Sequence, residues 1–452
     1  MFKINVKDFL SIAVSKVLIK SSKILFKGGS NFPGRVALKI SSNVLKTAAS
    51  GYDVILVTGT NGKTTTTSMI YNMVKDSYKN VITNATGANM LPGIVSCFTA
   101  NYKWRKKDEK RYAVIEVDEA NVKLVTEFIS PKVITITNLF RDQLDRYGEV
   151  YTTLNKILDG INKVPDAVLV LNGDESLLGD LKLPNKTIYY GFDCAINDQS
   201  KIDINADAKF CKKCKTPYKY NYIIYNHLGD FYCENCGYKR PELDFYIERI
   251  TEINSNGSLL WINGNEYYIN QPGVYNIYNG LCAFSVAKTL GIKNADIFAC
   301  LKSQSSSFGR QEIIDIDGKQ VKIILVKNPA GFDEAINTIT LDKRNISIAF
   351  LLNDNYADGR DVSWIWDVKF EKFNQMNLNK VMVSGVRLYD MAIRLKIAGL
   401  NYKDFDICEN NEALLKSIQG LEAPTVYILA TYTAMINLRK FLNGKGYIKK
   451  LW

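Results

Sequence analysis

The stretch that most constrains this chain is residues 53–67, Asp-Val-Ile-Leu-Val-Thr-Gly-Thr-Asn-Gly-Lys-Thr-Thr-Thr-Thr. An apolar, mostly β-branched run, Val54 to Val57, enters a turn with two glycines, and a helix-compatible stretch, Thr64 to Val74, follows. A strand that breaks at a Gly-rich turn and resumes as a helix aims backbone N–H groups and the positive helix end at one point. That arrangement binds phosphate. Gly59 and Gly62 permit the sharp turn and a close backbone approach. Lys63 supplies a mobile cation for terminal phosphates, and the Thr64 hydroxyl suits magnesium. Gly59, Thr60, Asn61, Gly62, Lys63, Thr64 and Thr65 are therefore the candidate nucleotide contacts. The spacing departs from the common Walker pattern, whose first glycine falls on Val57.

Around this loop the chain alternates between two periodicities. Val81–Thr83, Ala113–Val117, Val133–Thr137 and Ala167–Leu171 read as short strands, with helices over Asn121–Phe128 and Tyr151–Ile161 between them. Alternation of this kind predicts a parallel sheet with helices on both faces and ligands at the carboxyl ends of strands. Ile115-Glu116-Val117-Asp118-Glu119 places acids at such an end, where they can hold magnesium or form a solvated turn. A second alternating set, Val321–Val326, Ile346–Leu352, Lys380–Val383 and Thr425–Leu429, predicts a Rossmann-like C-terminal domain. The expected division is a helical segment over 1–45, a nucleotide-binding domain over 46–305 and a C-terminal domain over 306–452.

Residues 206–240 interrupt the pattern. Cys211-Lys-Lys-Cys214 and Cys233-Glu-Asn-Cys236 are two C-x-x-C knuckles separated by 18 residues. Such a pair offers four thiolates to one tetrahedral zinc, and a full shell implies a structural ion. Redox cysteine pairs are the alternative. His227, between the knuckles, is expected on the ribbon surface. Lys212, Lys213, Lys215, Tyr218, Lys219 and Tyr220 mix basic and aromatic side chains, which would also suit a nucleic-acid-binding ATPase.

Length and composition set the remaining bounds. A chain of 452 residues with 46% hydrophobic residues can bury two or three cores. Its nine cysteines, four of them clustered, fit a reducing compartment with one metal site better than a disulfide framework. A net charge of +12 suits a polyanionic or membrane-borne partner. The single histidine, His227, leaves little for a Ser-His-Asp or Cys-His machine within the chain. Phe9 to Phe26 is apolar but broken by Lys16, Lys20 and Lys23, and no clean cleavage site follows, so a signal peptide is not expected. The lysine spacing reads as a basic amphipathic helix, either packed on its own domain or lying on a membrane.

The GTNGKTT loop resembles the ATP loop of the Mur ligase family, whose members join a carboxylate to an amine at the expense of ATP. Later stretches follow the family's order. Glu116 matches a family Glu that binds the second metal. Thr137-Asn138, followed by Arg141 to Gly148, is similar to the family's TN…DHLDxHG run, with Gln143 and Tyr147 replacing both histidines and Asp142 and Asp145 left as structural groups. Gly273 to Gly280 resembles GxHNxxN, with Tyr275 in place of the His and Asn276 matching a residue that contacts adenine. The helix after it is expected over Leu281–Leu290. Phe308-Gly309-Arg310-Gln311-Glu312 is similar to the GRxE segment that opens the third domain, which implies that Arg310 contacts phosphate. Lys327-Asn328-Pro329 falls at the family's HNP run, with Lys327 replacing the His.

The segment Ala357 to Asp367, ADGRDVSWIWD, and the inserted four-cysteine ribbon point to one branch of the family: synthetase subunits that amidate lipid II. That resemblance implies a P-loop central domain with an inserted zinc ribbon and the cofactors ATP, Mg2+ and Zn2+. It implies amidation of the α-carboxylate of D-glutamate to D-isoglutamine through an acyl phosphate. Ammonia would come from a class I glutaminase subunit of the GatD type, bound as a heterodimer. It also implies a cytoplasmic protein peripheral to the inner face of a bacterial membrane, and no nucleic-acid partner. Asp358 is implied to orient the partner's histidine, with Asp354 and Asp361 as fallbacks. Peptide-forming Mur ligases start with a UDP-holding domain, and the roughly 50 residues before the loop leave no room for one. The competing reading is a stand-alone ligase similar to folylpolyglutamate synthase, which binds an amino acid instead of ammonia.

Overall fold

The computed structural model describes residues 6–25, 31–84, 88–103, 110–141, 150–196, 200–201, 208–304 and 310–448. Among these, the strands form a nine-stranded sheet, a six-stranded sheet and a two-stranded hairpin.

The large sheet has the order β11-β10-β9-β6-β5-β4-β1-β3-β2. β1 (Tyr52–Thr58) lies between β3 (Arg111–Glu116) and β4 (Val133–Ile136), parallel to both. β2 (Val81–Thr83), β5 (Val168–Asn172), β6 (Thr187–Phe192) and β9 (Phe245–Ile253) continue the parallel pairing. The expected all-parallel sheet is corrected at one edge. β10 (Ser258–Ile262) and β11 (Asn265–Ile269) are antiparallel, joined by Asn263-Gly264 with both residues at positive φ. An Asn-Gly turn of that hand closes a two-residue hairpin.

The centre of the sheet is buried on both faces, which is why β1 reads as an unbroken apolar run rather than an alternating one. Ile55 and Val57 point into one core with α4 (Lys63–Ser77) and the helices Val274–Thr289 and Asn294–Ser303. Val54 and Leu56 point into the other. That core packs α1 (Val6–Leu25), α2 (Asn31–Ile40), α3 (Val44–Ala49), α5 (Leu91–Asn101) and the helix Val150–Ile161. The helix expected over Asn121–Phe128 is a short 3-10 turn, Glu119–Asn121, running into Val122–Val125.

The smaller sheet, β12-β13-β17-β14-β15-β16, carries the C-terminal residues. β13 (Lys319–Leu325), β17 (Thr425–Ala430), β14 (Ile346–Leu351), β15 (Leu378–Ser384) and β16 (Phe405–Cys408) are parallel, and β12 (Arg310–Ile316) is an antiparallel edge. The helix Pro329–Ile339 serves both halves. Phe332, Ala335, Ile336 and Ile339 fill the core of the smaller sheet, while Ala330 joins the core around α4.

Candidate active site and metal centre

The turn 59–62 sits at the carboxyl end of β1, and its geometry explains each glycine. Gly62 caps α4 at φ +82, and a Cβ there would lie 2.0 Å from Asn279 Oδ1. Gly59, at φ +119, would drive a Cβ to 2.4 Å from Thr137 Oγ1. Positive φ and the lack of space each call for glycine. The residue that caps α4, Gly62, offers no side-chain cap, and the positive end of the helix meets the turn.

The segment after β4 holds the turn in place. Thr60 N donates to Asn138 O at 2.9 Å, and Asn61 N donates to Asn138 Oδ1 at 2.9 Å. Thr137 Oγ1 donates to Asn61 O at 2.7 Å. Thr60 Oγ1 accepts from Phe140 N at 3.1 Å and donates to Phe140 O at 3.2 Å. The Thr137-Asn138 pair is thus a brace for the turn.

Lys63 is buried, with its ammonium donating to Gly59 O, to Thr60 O at 3.2 Å and to Glu119 Oε1 at 2.7 Å. Burial opposes the charge, but the carboxylates of Glu119, Glu116 and Asp118 outweigh it and hold the lysine above its usual pKa. Glu116 ends β3 beside Val57, is buried, and accepts from Asn89 Nδ2 at 3.0 Å. Acids and a lysine at the ends of two adjacent strands are a donor set suited to a hard cation and a phosphate. Thr64 and Thr65 follow in the first turn of α4.

Asn276 joins this group through a relay of amides. Asn279 Nδ2 donates to Asn276 Oδ1 at 3.0 Å, Thr66 Oγ1 donates to Asn279 Oδ1 at 3.3 Å, and Asn276 Nδ2 donates to Pro272 O at 2.8 Å. The relay exists because the helix starts at Val274, seven residues before the expected Leu281, and carries both asparagines in its first turns. Arg310 opens β12, but its side chain lies outside the described residues, as do Asp142, Gln143, Asp145 and Tyr147.

Sequence reasoning missed Asn328. Its Oδ1 accepts from Gly331 N at 2.8 Å, capping the helix that begins at Pro329. Its Nδ2 also donates to Asn61 Oδ1 at 3.1 Å, so the second half of the chain reaches the phosphate turn directly. The Asn-Pro pair signals a helix start. Nothing local signals a contact 267 residues away.

Asp358 has its contacts elsewhere. It is buried, and its carboxylate accepts from Thr433 N at 2.6 Å and from the Thr433 hydroxyl, at the start of the helix Tyr432–Gly444. Asp354 lies 3.6 Å from Arg387, Asp361 accepts from Ser363 N at 2.8 Å, and Asp367 lies 3.8 Å from Arg141.

The four cysteines converge. The sulfurs of Cys211, Cys214, Cys233 and Cys236 lie within 4.8 Å of one another. A tetrahedral ion with sulfur at about 2.3 Å asks for sulfur pairs about 3.8 Å apart. Cys211 and Cys236 are 3.6 Å apart, and Cys214 and Cys233 are 3.4 Å apart, so the set fits a metal ion. The knuckles flank the hairpin β7 (Lys219–Tyr225) and β8 (Leu228–Tyr232). His227, at the hairpin tip, corrects the expected surface position: its side chain is fully buried. Its Nε2 lies 2.8 Å from Glu175 Oε2, and its ring packs 4.9 Å from Phe140. Glu175 Oε2 also accepts from Leu139 N at 3.1 Å. The hairpin tip therefore buttresses the segment that braces the phosphate turn.

Known proteins share this arrangement. Residues 57–238 match the Mur ligase middle domain, and residues 325–435 match the MurT ligase C-terminal domain. The MurT subunit of lipid II isoglutaminyl synthase from Streptococcus pneumoniae is 40% identical over 422 residues, covering 93% of this chain and 94% of that one. The chain belongs to the MurT family. The MurT subunit of Staphylococcus aureus is 33% identical, covering 87% of this chain and 88% of its own. A pseudomurein peptide ligase type C from Methanothermus fervidus shares the fold, with a TM-score of 0.67 at 19% identity over 96% of this chain and 88% of that one. This MurT-family chain is thus a ligase with the α/β fold of Mur ligases. Among the described residues, no helix is long and apolar enough to cross a membrane.

Proposed function

We propose that the chain is the synthetase subunit of a lipid II amidating complex. It uses ATP to activate the α-carboxylate of D-glutamate in the stem peptide, and ammonia converts the acyl phosphate to D-isoglutamine. A carboxylate is a poor acyl donor. Phosphoryl transfer to its oxygen gives an acyl phosphate; ammonia then attacks the carbonyl carbon and phosphate leaves. The observation that carries this reading is 40% identity to a MurT subunit across nearly the full length, supported by a Gly-rich turn in which Lys63 meets Glu119 and Asn61 meets Asn138.

In this proposal Gly59 to Thr65 cradle the phosphates, and Lys63 stabilises the transferring group. Arg310 is assigned to phosphate and Asn276 to adenine by family likeness alone. Thr64 and Glu116 would hold magnesium, which supplies charge neutralisation at the phosphates. The four cysteines would hold zinc as a structural ion. The division near residues 45 and 305 separates a helical segment, a nucleotide domain with its ribbon, and a C-terminal domain. The complex works at the inner face of the membrane, where its lipid-borne substrate resides.

The ammonia source is a partner glutaminase of the GatD type. Asp358 is proposed to orient that partner's histidine. Its two bonds to Thr433 leave further acceptor sites on the carboxylate, because an ionised Asp offers about four. The same bonds favour a second reading, in which Asp358 is a helix cap and nothing more. Co-purification from native expression tests the complex: a glutaminase should travel with this chain in equal amount. Purification of an active ligase with no partner, one that consumes a free amino acid, would favour the stand-alone reading.

A further inference from the structure

Helix α1 is amphipathic in the wrong sense for a helix that serves only its own domain. The side chains it buries fully are largely polar: Asp8, Ser11 and Ser15, with Ile12. Each inward polar group is matched. Ser11 Oγ donates to Ala37 O at 2.8 Å, Ser15 Oγ pairs with Thr99 Oγ1 at 2.7 Å, and Asp8 accepts from the hydroxyls of Ser41 and Thr47. These bonds fix the rotation of the helix. They also turn one set of its apolar residues outward, while Phe9, Val14, Leu18 and Ile19 stay half-buried.

Val6, Leu10, Ala13 and Val17 recur at steps of four, three and four, one face of a helix, and all four are exposed. Val6 is 78% exposed, Leu10 57% and Val17 63%. Lys7 and Lys20 are exposed alongside them, and Lys16 is partly buried against Tyr102 O. The neighbouring helix α2 adds Phe32, 59% exposed, with Arg35 and Lys39 on the same outward side.

The charge of this region sets it apart. The first 50 residues hold nine Lys and Arg and a single Asp, a net of +8 out of the +12 of the whole chain. That Asp is Asp8, which is buried. An apolar stripe edged by cations, with no exposed acid on its helix, is complementary to one kind of surface: anionic headgroups over hydrocarbon. Nucleic acid would meet the charge but gain nothing from Val6, Leu10 and Val17. A second copy of the chain would bring two strongly positive segments together.

We infer that the outward face of α1, extended by Phe32 of α2, docks this protein on an anionic lipid bilayer. The inference rests on these residues alone and stands apart from the reaction proposed above.

The test is flotation of the full-length chain with vesicles of phosphatidylcholine, with or without phosphatidylglycerol. The chain should float with the anionic vesicles, and added salt should weaken the association. Leu10→Ser with Val17→Ser should lower partitioning roughly tenfold or more, and Lys7→Gln with Lys20→Gln should do so on anionic vesicles only. Both variants should keep the wild-type melting temperature and ATP turnover, because neither pair touches the phosphate turn. No flotation of the wild type would overturn the inference. So would a stripe variant that floats like wild type, a wild-type dimer that the stripe variant dissociates, or tighter binding to duplex DNA than to the anionic vesicles. A chain that floats yet fails to amidate lipid II would leave the docking face standing and remove the proposed reaction.

Discussion

Lys63 is a buried ammonium that folds back on its own turn and pairs with Glu119 at 2.7 Å. In the proposed reaction an incoming phosphate competes with that carboxylate, and the ion pair keeps the lysine charged beside the turn. Lys63→Ala should lower ATP turnover at least about a hundredfold, the scale of losing one preorganised electrostatic contact. A coupled assay of ADP release reads this, and a cooperative melting transition should persist; near-normal turnover would move the nucleotide site elsewhere. Asp358→Asn separates two roles. If Asp358 orients a partner's histidine, glutamine-driven amidation should fall by up to about 10⁴-fold while ammonium-driven amidation survives. If it only caps the helix at Thr433, both activities should fall together and slightly, with about 1 kcal/mol lost from stability.

At the scale of elements, the metal ribbon is tied to the phosphate turn by a short path. His227 at the hairpin tip meets Glu175, Glu175 holds Leu139 N, and Phe140 holds Thr60. Stripping the metal with a chelator, or replacing Cys211 with Ser, should therefore lower the melting temperature and also weaken nucleotide binding. His227→Ala should do the second with the metal still bound, which titration calorimetry and metal analysis together can check. Unchanged nucleotide affinity in both cases would leave the ribbon as a stabiliser only. The two knuckles, the phosphate turn and most strands were legible in the sequence because each is a local pattern whose parts lie within a few residues. The His227–Glu175 pair spans 52 residues and was missed, since nothing local to a lone histidine in a hairpin turn points to a glutamate so far along the chain. Asn279 was missed for a related reason. The run Gly273 to Gly280 reads as opening a helix, and it forms the first turns of the helix packed on α4, but nothing local shows that Asn279 would meet Thr66, 213 residues away. The cap that Asp358 places on Thr433, 75 residues on, was not legible either.

At the scale of the molecule, the helix Pro329–Ile339 joins the two halves. It carries Glu334, whose carboxyl burial pushes up to about 7, with Asn337 Nδ2 donating to it at 2.7 Å. An acid raised in the folded state holds its proton where the unfolded chain has lost it, so stability falls as pH rises from about 4.5 to about 7. Glu334→Gln keeps the acceptor and removes that penalty. It should stabilise the chain by roughly 1–3 kcal/mol above neutral pH and have little effect below pH ~4.5. Melting curves of both forms across this range check the sign; a variant that is equally destabilised at every pH would show that the carboxyl is needed for another contact.

The central claim is that this chain turns a lipid-borne carboxylate into an amide with ammonia made by a partner. The most direct measurement supplies the purified complex with lipid II, ATP, magnesium and glutamine labelled at its amide nitrogen, then reads the stem peptide by mass spectrometry. The account predicts labelled D-isoglutamine that disappears when ATP is omitted or Lys63 is replaced by Ala. Labelled product formed without ATP, or a stem peptide that gains an amino acid in place of an amide nitrogen, would contradict it.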